Sequence, residues 1–260
     1  MLPLRDRLPL RYIRFAYVNL AIIGACTAVF LWQVGLPPRE AERAIYAYGA
    51  IPSVLFGIHS LPPDIGAVPA EIALVTSMFM HGGWMHLLGN MLYLWIFGDN
   101  VEDSMGHGRF VAFYLLTGIV AALAHAASAP DSVLPSVGAS GAISGVLGAY
   151  LVLHPRAQVK VMVFFPLFLT LPAWIVLGSW IGLQFLNASM DQGGTNGGVA
   201  WFAHIGGFVA GALLIALFRR RDVPLFDGLR TAREVGRAVV SRPGRSQIPN
   251  AGGSWRRQGE

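Results

Sequence analysis

The sequence is short of charge. Of its 260 residues only 13% are Asp, Glu, Lys or Arg, while 54% are hydrophobic; soluble domains carry about 25% charged residues. That deficit, a mean hydropathy of +0.54 and apolar runs near bilayer length exclude an ordinary soluble domain. They indicate a chain that crosses a membrane several times. Cysteine is almost absent: with Cys26 alone there is no intrachain disulfide and no cysteine-based metal site, and Cys26 reads as a small packing residue. HExxH is missing, so the signature of a membrane metalloprotease is lacking. No repeat relates the two halves, which weakens an inverted-repeat transporter. Neither a metal nor a cofactor is expected. The opening MLPLRDRLPLRYIRFAYVNL is too long in its basic and apolar parts for a cleaved signal and is expected to be retained.

What the chain does have is a series of apolar runs at about 14–35, 84–101, 109–128, 139–154, 160–186 and 200–218. Each is expected to be a helix, because lipid cannot satisfy exposed backbone N–H and C=O groups. The predicted architecture is an all-α bundle of six transmembrane helices. The fourth run is short and glycine-rich and is expected to be enclosed by the others rather than by lipid. Six spans put both termini on one side, and the basic residues choose the side: all of the 19 except Arg39 and Arg43 fall on the face that holds the N-terminus. Positive loops stay cytoplasmic, so the high pI reports topology and not nucleic-acid binding. Residues 1–13 are then a basic cytoplasmic N-terminus. Residues 219–260 form an Arg-rich cytoplasmic tail, expected to be disordered or to rest on anionic lipid. The first outer loop, 36–83, is apolar enough to fold partly into the outer leaflet, and the fifth, ASMDQGGTNGGV, is expected to be mobile.

Polar groups at membrane depth are functional candidates, since burying them is costly. His86 and Asn90 are four apart in HGGWMHLLGN and share a helix face; they suit interhelical hydrogen bonds or a site. His81, just before them, reads as a loop residue. In VGASGAISGVLGAY, small residues recur at a spacing of four and let another helix approach closely. Ser144 fits that packing. Ser140 differs, because it opens the helix, where the first backbone N–H groups have no intrahelical acceptor and favour developing negative charge. In AHIGGFVAG, His204, Gly207 and Gly211 lie on one face, so His204 points at a neighbouring helix. Equal depth on facing surfaces permits a Ser140–His204 hydrogen bond. Glu102 and Arg109 are expected to tie the cytoplasmic turn together, and His125 to stabilise the third loop.

HLLGN, GASG and AHIGG, in this order in the second, fourth and sixth spans, resemble the rhomboid intramembrane serine proteases. The similarity covers roughly 80–218, and the turn NVEDSMGHGRF also looks like the family's. The resemblance implies a six-helix bundle with a short central fourth helix. It implies Ser140 as nucleophile and His204 as its general base and acid. His86 and Asn90 are implied to form an oxyanion site with the Ser140 backbone N–H. Two features depart from the family's pattern. Some members carry an aromatic where Ser144 stands, against which the imidazole stacks, so His204 must be held otherwise. A clear Trp-Arg pair is also missing from the first loop, where Arg39 or Arg43 is left to act as anchor.

With no Asp or Glu in the outer halves of the spans, a dyad is expected rather than a triad. The implied substrate is a single-span membrane protein cut near its outer boundary. Its access is lateral, past the fifth span, whose Phe164, Phe165, Phe168, Trp174, Trp180 and Phe185 are bulky, with residues 193–198 as a hinged cap. The absence of an extra leading span favours a bacterial plasma membrane. The rival readings are a polytopic transporter or channel and a non-proteolytic rhomboid-like binder; the first needs no serine at a helix start, and the second is expected to lack Ser140 or His204.

Overall fold

The computed structural model describes residues 1–66, 68–190 and 200–227. Six helices of the expected order build the bundle: α1 (Tyr17–Gly35), α5 (Trp84–Met105), α6 (His107–Ser128), α7 (Ser140–Leu153), α8 (Ala173–Met190) and α9 (Trp201–Phe218). Among the described residues α1, α6, α8 and α9 are long and apolar enough to cross a membrane. Helix α5 has 22 residues but carries Asp99, Glu102 and Asp103 towards its inner end. Helix α7 has only 14, about 21 Å at 1.5 Å per residue, and nearly all of it is buried. It is the central helix, packed against α9, α6 and α5.

Glycine is what lets α7 sit there. A methyl group at Gly207 would overlap the Gly141 carbonyl, one at Gly211 the Gly145 carbonyl, and one at Gly148 the Phe208 carbonyl. The two small-residue faces therefore meet backbone to backbone, the arrangement that drives close helix association where lipid supplies no hydrophobic effect. The first outer loop is ordered into short helices, α2 (Pro38–Tyr48), α3 (Pro52–Leu55) and α4 (Ala70–Thr76). Arg43 donates to the Ile65 carbonyl at 3.3 Å and anchors α2 to the turn over Pro63–Ile65; Arg39 is exposed.

The fifth run departs from expectation. Only its second half is helical; the first half is an antiparallel hairpin of β2 (Gln158–Phe164) and β3 (Leu167–Pro172), and β1 (Leu2–Asp6) from the N-terminus adds to β2. The 160–186 span is thus corrected to a hairpin followed by α8. The physical cause is in the sequence: Val159, Val161 and Val163 recur with period two, and β-branched residues favour a pleated strand. Hairpin pairing satisfies the backbone without a helix. Phe164, Phe165 and Phe168 consequently lie on the hairpin, exposed, and not on the fifth helix.

The basic N-terminus and the start of the tail are also more structured than expected. Asp103 accepts the backbone N–H groups of Arg11, Tyr12 and Ile13 at 2.7–2.8 Å. Arg220, Phe226 and Asp227 donate their N–H groups to the carbonyls of Ser104, Val152 and Leu153. Arg11 pairs with Asp227 at 2.9 Å. Residues 219–227 thus pack on the inner end of the bundle rather than leaving it; 228–260 lie outside the described residues. Glu102, fully buried, caps the start of α1 by accepting from Val18 and Asn19 N–H at 3.1 and 2.7 Å and meets His107 Nδ1 at 2.5 Å. Arg109 donates instead to the Arg219 carbonyl.

Candidate active site

At the end of the bundle remote from the sheet, α5, α7, α8 and α9 enclose a cavity of about 930 Å³. Its polar lining includes His86, Asn90, Ser140 and His204. Ser140 is the first residue of α7, so its hydroxyl stands beside N–H groups that have no intrahelical acceptor. His204 lies in the first turn of α9. The close α7–α9 packing brings their side chains together: Ser140 Oγ is 2.8 Å from His204 Nε2. Ser144, one turn deeper and fully buried, donates its hydroxyl to the Ser140 carbonyl at 2.6 Å and is not among the residues that line this cavity.

His86 and Asn90 reach the cavity from α5 and face the same glycine. Gly138 has φ of +129°, which side chains rarely adopt, and a Cβ there would come 2.6 Å from the His86 ring. Only glycine admits both the turn into α7 and the ring against it. Asn90 is buried, and its Nδ2 has no hydrogen-bond partner among the described residues. A buried donor without an acceptor costs about 1–3 kcal/mol, and such groups call for an explanation.

His81 is a loop residue, as expected, but an inward-facing one. It is buried, its ring stands edge-on to His86 at 5.3 Å between centroids, and its Nδ1 is 3.2 Å from the Phe79 carbonyl. Burial, with the His86 imidazole adding to it, pushes its pKa down to about 4, so it is a neutral ring at pH 7. Its backbone is clamped by Gln33 of α1, whose Oε1 accepts the His81 N–H at 3.0 Å and whose Nε2 donates to the His81 carbonyl at 3.2 Å. His125 lies near the outer end of α6, where its carbonyl accepts the Ser128 hydroxyl.

The imidazole has three neighbours that the sequence reading did not assign to it. Gln184 of α8 is buried, and its Oε1 is 2.8 Å from His204 Nδ1. Trp180, one turn earlier, is half-buried; its ring centroid is 5.8 Å from that of His204, with the planes 40° apart, and it also meets Tyr93. Trp201 stands edge-on to the imidazole at 6.2 Å. Helix α8 therefore supplies two of the side chains that flank His204. The signal for Gln184 was available: it is one of two amides, with Asn187, in an otherwise largely apolar helix. Of the side chains expected to guard lateral access, Trp174 and Phe185 of α8 are exposed; the proposed cap, 193–198, lies outside the described residues. No group of three or more His, Cys, Asp or Glu able to hold a metal occurs among the described residues.

Residues 70–221 match the Rhomboid domain family. The chain is 30% identical over 189 residues to Rhomboid protein 1, mitochondrial, of Saccharomyces cerevisiae, covering 66% of this chain and 52% of that protein. It is 36% identical over 141 residues to the rhomboid protease GluP of Bacillus subtilis, covering 54% of this chain and 25% of the other. It is 30% identical over 142 residues to the putative rhomboid protease YdcA of the same organism, covering 54% and 64%. The chain thus spans less than two thirds of the length of each. The family match covers more than half of the chain, including the helices that carry all four cavity residues, and the chain belongs to the rhomboid family of membrane proteins.

Proposed function

We propose that this chain is an intramembrane serine protease that cleaves membrane-protein substrates by a Ser140–His204 pair. The observation that carries the reading is the 2.8 Å contact between Ser140 Oγ and His204 Nε2 at the mouth of a helix N-terminus. It lies within a cavity that also holds the unpartnered Asn90 amide. Neutral His204 accepts the hydroxyl proton as Oγ attacks the scissile carbonyl carbon. The carbonyl oxygen takes up negative charge, and the N–H groups at the start of α7, with Asn90 Nδ2 and His86, supply donors for it. The tetrahedral adduct collapses by breaking the C–N bond, and the imidazolium gives its proton to the leaving amine. Water then hydrolyses the acyl-enzyme by the same steps, with His204 as base again.

The substrate must offer carbonyls that are not engaged in helical hydrogen bonds. A single transmembrane segment with helix-weakening residues near the outer boundary meets that condition. The excess of basic residues on one side supports cytoplasmic termini and a cavity on the opposite side. We place the protein in a bacterial plasma membrane within this proposal, among membrane lipids. The test is labelling of the purified protein with a fluorophosphonate, alongside cleavage of a model transmembrane substrate. Wild type is expected to label and cleave, and Ser140→Ala to do neither. Cleavage by Ser140→Ala would overturn the assignment, and a wild type that neither labels nor cleaves would leave the non-proteolytic binder or the transporter.

A further inference from the structure

The contact between Gln184 and His204 has a direction, and the direction is set by a third group. Gln184 Nε2 donates to the Trp180 carbonyl, one helical turn back, at 3.1 Å. A carbonyl only accepts, so the nitrogen end of the amide must face it, and the oxygen end faces the imidazole. That oxygen lies 2.8 Å from His204 Nδ1 and also only accepts. The ring nitrogen it meets must therefore carry the proton. A neutral imidazole has one N–H, so Nε2 is left as an acceptor, and Nε2 is the atom 2.8 Å from Ser140 Oγ. Turned over, the amide would oppose two oxygens at Trp180 and donate to Nδ1. The proton would then sit on Nε2, and Ser140 would face a donor that cannot take its hydrogen.

We infer that Gln184 is a positioning residue: its amide oxygen holds the His204 proton on Nδ1 and turns Nε2 towards Ser140. The inference rests on the protease reading for its kinetic consequence, but not for its structural content. The flanking rings complete the hold, Trp180 across one side of the imidazole and Trp201 edge-on. An amide does here what a buried carboxylate does in a Ser-His-Asp triad, fixing tautomer and orientation. It does so without placing a charge inside the bilayer, where one is expensive. What it does not supply is charge stabilisation of the imidazolium.

Three measurements decide the matter. Nitrogen-15 NMR of histidine-labelled wild type in detergent is expected to find the neutral His204 proton on Nδ1; a proton on Nε2 would overturn the inference. Gln184→Leu keeps an apolar helix of similar volume and is expected to fold. It is expected to lower kcat by about 10- to 100-fold, the scale of a misplaced catalytic group, with KM within about twofold and the rate of fluorophosphonate labelling reduced in step. Gln184→Glu keeps an acceptor facing Nδ1 and is expected to recover most of that loss. An unchanged kcat in Gln184→Leu, or equal losses in the Leu and Glu variants, would mean that the amide oxygen is not what matters. A wild type that fails to label at Ser140 would count against the protease reading instead, and the position of the proton would still decide the role of Gln184.

Discussion

The two ends of the bundle treat their buried polar groups differently. At the inner end the carboxylates are saturated with donors, although Asn19 Oδ1 and Arg219 Nε are buried there without a partner among the described residues. Glu102 takes two backbone N–H groups and meets a histidine, Asp103 takes three backbone N–H groups, and Asp6 takes Asn100 Nδ2 and the Tyr150 hydroxyl. At the outer end Asn90 Nδ2 and His81 Nε2 are buried without a partner among the described residues. Histidines line that cavity, whereas no carboxylate among the described residues does. A saturated network in a low-dielectric interior fixes structure; a donor left unsatisfied in a folded protein calls for an explanation. The inner end behaves as a clamp joining the N-terminus, α1, α5 and the start of the tail. The outer end behaves as a site.

The comparison predicts that removing outer polar groups costs turnover and spares stability, and that removing inner ones does the reverse. The largest effect is expected for Ser140→Ala or His204→Ala, a loss of cleavage of about 10⁴-fold or more with an unchanged unfolding temperature. Asn90→Ala comes next. It should lower kcat by about 100- to 1000-fold and leave stability unchanged or raised, because an unpartnered donor has been removed; a large drop in unfolding temperature would show that Asn90 belongs to the scaffold. Glu102→Ala inverts the pattern. Two backbone N–H groups at the start of α1 and the exposed His107 ring lose their buried acceptor, and a destabilisation of about 3 kcal/mol is expected from denaturant unfolding. Fluorophosphonate labelling at Ser140 should persist while the protein remains folded, and loss of labelling without unfolding would show that the two ends are coupled.

The smallest effect is in pH. His154, just past the inner end of α7, is pushed down to about 4, chiefly by burial, with Asp227 opposing. His81 is shifted as far. Each is neutral when folded, while the unfolded chain takes up protons below its ordinary value near 6.5. Stability is therefore fully present above about 6.5 and falls as pH drops towards 4. A thermal melt series across that interval should show the decline, and His154→Gln should flatten part of it; a flat series in wild type would count against burial of neutral rings.

Much of the bundle was legible because lipid imposes simple rules. Five of the six apolar runs are helices as those rules require, and the starts of α5 and α7 and the small-residue faces of α7 and α9 could be read residue by residue. The hairpin was misread because Gln158–Pro172 is as apolar as a span, and its period of two was outweighed by length. The inner clamp was only half visible: Glu102 was read as tying the turn, yet it serves the start of α1, more than 80 positions away in the chain. Gln33 and Gln184 went unread for the same reason. An amide in an apolar helix signals a partner, but its identity depends on which helix packs alongside.

The amino-acid order alone settled that the chain must span a membrane and where serine and histidine fall within their helices. Composition and periodicity act locally and need no knowledge of neighbours. Packing alone decided that His204 meets Ser140 on one nitrogen and Gln184 on the other, that Asn90 keeps a donor open, and that the N-terminus joins a sheet. Those relations are directional contacts between groups distant in sequence, and they exist only once glycine-lined helices have closed to backbone contact.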